Sequence, residues 1–287
     1  MQPRPLALAL LGRGVVDPDR PWVAVDDDAV LRGRAAFETL RVYGRQPFRL
    51  EAHLARLQRS AEVLELPEVD HGAMAELAGQ AVAAAADGDS VLRLVWTPGR
   101  PGGGPTGFAL VTALPDDLDR QRAAGLALVS LQLAIGASAR SASRWLLPGV
   151  KSTSYAVNMA AQREARRRDA DDAVFLSLDE VVLECPTSNI WFRDRDVVHT
   201  PSLDLGILAG VTRGALLDAA RDAGVRVEQG AYQRSRLAAA EEVFVSSSVR
   251  EVMAVVSLDG RPVGAGAPGP AAGAMQAALR ALAVAGR

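Results

Sequence analysis

Two spacings of apolar side chains recur along the first third of the chain. ETLRVY (38–43), VLRLVW (91–96) and GFALVTAL (107–114) read as strands, as does the shorter WVAV (22–25). The turn Gly44-Arg45-Gln46-Pro47 leads into Phe48-Arg49-Leu50 as a hairpin partner for 38–43. From Glu51 the spacing becomes helical: Leu54, Leu57, Ala61 and Leu64 form one stripe, which Pro67 ends. An Ala-rich helix is expected at about 72–86, and TPGRPGGGPT is a flexible loop between the 91–96 and 107–114 strands.

The charged stretch beyond Pro115 reads as a linker at 116–124, between a small N-terminal domain (1–115) and a larger C-terminal domain (125–287). In the latter, LALVSLQL (126–133), AVFLSL (173–178), EVFVSS (242–247) and VMAVVSL (252–258) predict strands. VVLE (181–184) and NIWF (189–192) bracket a tight bend, and Asp259-Gly260 is a hairpin turn. Helices are expected at 154–168, 212–224 and 271–285. Strands and helices do not alternate regularly, so the class is α/β of a two-lobed α+β kind rather than a doubly wound sheet.

Charge and composition narrow the function. Acids outnumber bases, 34 to 32, which leaves no basic field for nucleic acid or an anionic membrane. A single cysteine, Cys185, permits no internal disulfide and suits a reducing compartment. His53, His71 and His199 stand too far apart for a metal-ligand spacing. The six-residue apolar run near the start is too short for a signal core or a membrane span, so a cytoplasmic protein is expected.

The basic residues divide unevenly: 31 are arginine and one, Lys151, is lysine. Arginine replaces lysine wherever a solvated charge suffices, but not where a primary amine must lose its proton and bond to a carbonyl. Lys151 is therefore a candidate Schiff-base lysine; the ordinary alternative is chance survival on a surface loop. It lies in PGVKSTSYAVNMAA, after a Pro-Gly break and before a helix, with Tyr155 and Asn158 at helical offsets. Glu184 ends an apolar strand and precedes CPTSN, where Thr187, Ser188 and Asn189 are available as partners. It suits a protonated heterocycle nitrogen, or simply a polar turn. LAGVTRG (208–214) offers the first N–H groups of a helix, at Val211 and Thr212, to an anion. VSSSVRE (245–251) ends a strand in serines, and Arg56 lies off the apolar stripe of its helix, one turn from His53. Each feature alone is an ordinary cap, strand end or solvated arginine. Their occurrence together with a lone lysine is not ordinary.

In order, FETLRVYGRQPFRLEAHLARL (37–57), GVKSTSYAVNMAA (149–161), VVLECPTSNIWF (181–192), GILAGVTRGAL (206–216) and EVFVSSSVREV (242–252) span nearly the whole chain. Together they resemble the class IV pyridoxal-phosphate aminotransferase family, which includes branched-chain and D-amino-acid aminotransferases and 4-amino-4-deoxychorismate lyase. The resemblance implies a fold-type IV homodimer with pyridoxal 5'-phosphate at the interface of its two α/β domains. It implies a Schiff base at Lys151, Glu184 against the pyridine nitrogen, and Tyr155 near the cofactor's phenolic oxygen. Phosphate contacts are implied from Arg56, from the Val211 and Thr212 backbone, and from Ser248 with Ser247 beside it.

Within the family, VKSTSYAVNMAA is most similar to the actinobacterial 4-amino-4-deoxychorismate lyases. D-amino-acid enzymes typically carry tyrosine where this chain has Phe37, and an Arg-x-His near residue 100, where it has Arg100 alone. Branched-chain enzymes carry Gly-Gly-Asn-Tyr where it reads Ser-Thr-Ser-Tyr. The implied activity is conversion of 4-amino-4-deoxychorismate to 4-aminobenzoate and pyruvate for folate synthesis, with Phe37 and Arg100 as substrate-binding candidates. The alternative is amino transfer from a branched-chain or D-amino acid to 2-oxoglutarate. A third reading, a non-catalytic binding protein, is disfavoured by the presence of both Lys151 and Glu184.

Overall fold

The computed structural model describes residues 4–285. The chain divides into two compact units: one runs to Asp116 and takes in Val150–Tyr155, the other comprises Asp117–Gly149 and resumes at Ala156. Among the described residues no helix is long and apolar enough to cross a membrane.

The first unit contains strands β1 (Pro5–Leu10), β2 (Gly14–Val16), β3 (Ala36–Tyr43), β4 (Gln46–Pro47), β5 (Ser90–Thr97) and β6 (Thr106–Ala113). They form an antiparallel sheet in the order β2-β1-β6-β5-β3-β4. Its helices are α1 (Asp28–Leu31), α2 (Leu50–Val63) and α3 (His71–Ala84). Because strand side chains alternate in direction, β3 splits by parity. Leu40 and Val42 join Leu54 and Leu57 of α2 and Leu92 of β5 in the main core. Phe37 points the other way and packs with Ala35, Val95, Phe108 and Tyr155. An acid on the core-facing side of β3, Glu38, is thereby committed to burial.

The second unit contains α4 (Leu118–Ala124), β7 (Leu126–Gln132), α5 (Ala137–Ala142), α6 (Ala156–Arg167), β8 (Asp172–Leu176), β9 (Asn189–Asp194) and β10 (Val197–Pro201). It continues with α7 (Val211–Asp222), β11 (Val227–Gly230), α8 (Arg234–Ala238), β12 (Glu242–Ser247), β13 (Glu251–Leu258), β14 (Arg261–Pro262) and α9 (Pro270–Ala285). The sheet order is β11-β10-β9-β12-β13-β7-β8, with β14 beside β13. Pairs β7–β8, β7–β13 and β10–β11 are parallel and the others antiparallel, the mixed order that irregular alternation implies.

Several expected elements differ. WVAV (22–25) forms no strand: Val25 is exposed, and Trp22 is held by its Nε1–H to Asp17 C=O and by Arg13 and Arg20 over its ring. The hairpin partner of β3 is Gln46–Pro47, because helix α2 has already begun at Leu50. The stretch read as a linker is mostly helix α4, and from Asp117 it groups with the second unit. VVLE contributes only isolated bridges, at Val181 and Val182, not a strand. The apolar run near the start is strand β1.

Candidate active site

Lys151 reaches its position by joining the sheet of the first unit. Phe37 N–H donates to Lys151 C=O at 3.1 Å, and Thr153 N–H to Ala35 C=O at 2.9 Å, with an antiparallel bridge between Ala36 and Ser152. Lys151 N–H donates to Ser60 Oγ of α2 at 3.2 Å. The Thr153 and Ser154 hydroxyls donate to Gly33 C=O. Gly33 has φ +69, and a Cβ there would lie 2.7 Å from Ser154 Oγ, so this close approach requires glycine. A backbone held at both ends places the amine on a fixed stem.

The amine stands in an aromatic setting. Lys151 Nζ lies 4.3 Å from the Phe37 ring centre and 5.6 Å from that of Tyr155, and 3.4 Å from the Tyr155 hydroxyl. The two rings meet edge-to-face at 5.1 Å and 81°. The sequence expectation of a phenol beside the amine is thus met in the geometry. Arg56, on α2, meets Glu38, the residue after Phe37 on β3, whose side chain points to the opposite face. Arg56 is buried, and its Nε and Nη2 donate to Glu38 at 2.8 and 2.6 Å. Arg100 is exposed and paired with Asp26 on the loop after β5.

The remaining candidates lie in the second unit. Glu184 Oε2 accepts from Leu208 N–H at 3.1 Å, and Arg140 Nη2 lies 3.7 Å from Oε1. Arg140 is fixed in turn by donating to the carbonyls of Leu205 and Gly206. The bend after Glu184 is closed on itself: Cys185 N–H donates to Ser188 C=O, and Asn158 Nδ2 to Pro186 C=O. Asn189, expected as a Glu184 partner, instead donates to Leu208 C=O at 3.0 Å. Leu208 is therefore a node, with its N–H on Glu184 and its C=O on Asn189 and on Gly210 N–H. Cys185 is buried, and burial drives its thiol well above the usual range, so it is a packing residue.

Three residues past that node, α7 begins at Val211 with Gly210 as its N-cap and no side-chain cap. The first-turn N–H groups of a helix have no intrahelical partner, and here none is taken by a capping side chain. A Cβ at Gly210 would fall 2.0 Å from Asn189 Oδ1, so the chain is pressed against the bend after Glu184. Ser247 closes β12, its Oγ accepts from Arg250 N–H at 3.3 Å, and Ser248 follows in the turn. Arg250 is anchored to Asp172, a fully buried carboxylate. Glu251, also fully buried and at φ 59, accepts from Arg122, Gln276 and Arg280.

Sequence reasoning did not find Glu38, Arg140, Asp172 or Glu251. An acid at a core-facing strand position gave a usable signal for Glu38. Arg140 lies on a short helix with no periodic signature.

The family model for class IV amino-transferases matches residues 35–258, and the chain belongs to that family. It is 34% identical over 258 residues to the bifunctional aminodeoxychorismate lyase / D-amino acid transaminase of Mycobacterium tuberculosis, an alignment covering 86% of this chain and 89% of that one. The PLP-bound form of a hypothetical aminotransferase from Mycobacterium tuberculosis superposes with a TM-score of 0.92 at 32% identity, covering 98% of this chain and 100% of that one. A fold IV-transaminase from Curtobacterium pusillum gives a TM-score of 0.87 at 36% identity, covering 96% and 97%. The fold is that of the fold-type IV enzymes, and the cofactor is pyridoxal phosphate.

The residues present fit that cofactor. Its aldehyde needs a primary amine, and the sequence contains one such side chain, fixed on a sheet edge beside a phenol. Its phosphate needs backbone donors that no side chain has already capped, and the start of α7 supplies them behind a glycine that no larger residue can replace without a clash.

Proposed function

We propose that the protein is a 4-amino-4-deoxychorismate lyase, releasing 4-aminobenzoate and pyruvate. The observation that carries this reading is the wall beside the amine: the Phe37 ring at 4.3 Å from Lys151 Nζ, with Tyr155 edge-on to it and Ala35 and Val95 packed with Phe37. A substrate whose amino group takes the place of the lysine brings its nitrogen-bearing carbon to this wall. An unsaturated six-membered ring suits an aromatic face. A small α-amino acid would bring a carboxylate there, against the uncharged side chains of Phe37, Ala35 and Val95.

When bound, pyridoxal phosphate supplies an aldehyde that condenses with amines and a ring that draws off the electrons of a broken bond. Lys151 would hold it at the aldehyde and Glu184 at the ring nitrogen. Arg56, the Val211 and Thr212 N–H groups, Ser247 and Ser248 would hold the phosphate. The chain's own chemical step is proton transfer. Nζ of Lys151, as free amine, takes the proton from the substrate carbon that bears nitrogen. Tyr155, within 3.4 Å, orients that amine. The electron pair left behind forms a ring double bond and the ether C–O bond breaks. The ring becomes aromatic, and the departing enolpyruvate takes up a proton to become pyruvate. Glu184 keeps its direction through Leu208 N–H and Arg140.

Transamination is the second reading, favoured by the dual activity named for the Mycobacterium tuberculosis relative. The two fates share proton removal by Lys151 and part afterwards. Supplying 4-amino-4-deoxychorismate to the loaded protein should yield 4-aminobenzoate and pyruvate in equal amounts. Amino transfer from D-alanine to 2-oxoglutarate with no 4-aminobenzoate formed would replace the lyase reading. We further read the enzyme as a cytoplasmic homodimer, which sedimentation of the purified protein tests as to assembly.

A further inference from the structure

Helix α2 buries a polar face as well as an apolar one. His53, Arg56 and Ser60 lie on one side of it, and each is at most 4% exposed. Ser60 holds the Lys151 backbone, and Arg56 is read above as a phosphate ligand. No task has yet fallen to His53 or to the acid both residues meet, Glu38.

A carboxylate buried in a core is costly unless it is paired and hydrogen-bonded. Glu38 is fully buried. Its Oε1 accepts from Arg56 Nε at 2.8 Å, and its Oε2 accepts from Arg56 Nη2 at 2.6 Å and from His53 Nδ1 at 2.6 Å. This side-on, two-bond pair fixes the plane and direction of the guanidinium. Burial opposes charge on Glu38, but the Arg56 charge and the bonds from Arg56 and His53 outweigh it and hold the carboxyl at about 2. His53 is kept below its usual value, first by burial and also by the charges of Arg56 and Lys151, against the pull of Glu38. It therefore serves as a neutral Nδ1–H donor.

We propose that Glu38, braced by His53, is a positioning residue that aims Arg56 at the cofactor phosphate. The proposal rests on the reading of Arg56 as a phosphate ligand. It gives two adjacent residues of β3 opposite duties, Phe37 facing the amine on one side of the sheet and Glu38 aiming the arginine on the other.

The test compares binding of pyridoxal phosphate with binding of pyridoxal, which lacks the phosphate, by equilibrium dialysis against the apoprotein. Glu38→Asp keeps the charge but shortens the arm, His53→Ala removes the brace, and His53→Asn restores a donor near the Nδ1 position. Glu38→Asp and His53→Ala should each weaken pyridoxal phosphate about tenfold, the loss of one well-aimed charged contact. Pyridoxal binding should stay within about twofold, and His53→Asn should recover most of the loss. Unchanged pyridoxal phosphate binding, or an equal loss for both ligands, overturns the proposal and leaves the triad a purely structural one. If Glu38→Asp fails to fold, as the melting curve of the apoprotein would show, the His53 pair decides alone. Arg56→Lys is the separate control: an unaltered preference for the phosphorylated ligand overturns the reading on which the proposal rests.

Discussion

Replacing Gly210 with alanine tests the node that joins the carboxylate bend to helix α7. The backbone at Gly210, φ −60 and ψ 129, is open to alanine, so any penalty comes from contact and not from torsion. The new Cβ would lie 2.0 Å from Asn189 Oδ1 and 3.2 Å from Arg213 Cβ. Asn189 must retreat by roughly an ångström or more to reach ordinary contact, yet its amide is buried and bonded to Leu208 C=O at 3.0 Å. Losing that bond inside the protein costs about 1–3 kcal/mol, and the overpacking a similar amount. A combined penalty near 3 kcal/mol lowers the melting temperature of a chain this size by about 5–10 °C. Moving the start of α7 should also weaken pyridoxal phosphate about tenfold. Thermal unfolding of the apoprotein and dialysis of the cofactor measure the two effects. Because Asn189→Ala removes the clashing atom, the double variant should be no less stable than Asn189→Ala alone. A Gly210→Ala protein that melts with the parent and binds cofactor equally would refute the node.

Three further outcomes are expected. Lys151→Arg keeps the charge and the fold but removes the only side-chain amine, so activity should fall by more than about a thousandfold; borohydride should fix the cofactor on the parent's residue-151 peptide and nowhere on the variant. Asp172→Asn leaves Arg250 without its buried counter-charge, and urea unfolding should show a loss of about 3 kcal/mol together with weaker phosphate binding at the Ser247–Ser248 turn. Glu38 has a folded value of about 2 against 4.5 unfolded, so its stabilisation is present above about pH 4.5 and is lost as pH falls toward 2; urea midpoints should drop across that window in the parent, and Glu38→Gln should flatten the drop.

Much of this was legible in the chain before folding. Strand-like apolar patterning places β3, β5 and β6 to within a residue or two, and an apolar stripe at helical spacing places α2. The lone lysine and Tyr155 do stand side by side, but not through the helical offset that suggests it: α6 starts only at Ala156, and the segment 151–155 is set by its bridge to Ala36. Arg56 lies off the apolar stripe of its helix, and the ordinary alternative of a solvated arginine does not hold, for a physical reason. The helix has a second buried face, made tolerable by an acid 18 residues earlier on a strand, and one-dimensional spacing does not report that pairing. Arg140 beside Glu184 is of the same kind, a contact across 44 residues of chain between a short unpatterned helix and a bend. WVAV failed because strand-like composition needs a partner edge, and its neighbourhood offered Trp22 two arginines instead.

The six residues Val150–Tyr155 have their partners at Ala35, Phe37 and Ser60, although the chain on either side of them belongs with the second unit. In the vocabulary of split proteins, the reactive amine is a donated peptide. A ribosome that has released the first 116 residues has built the acceptor edge but not the nucleophile, and about 35 more residues must emerge before the edge can be filled. A chain cut after Asp116 leaves one fragment with a docking edge and no amine, and another with an amine and no dock. Chemistry in this fold therefore begins as an act of complementation, performed by the chain upon itself.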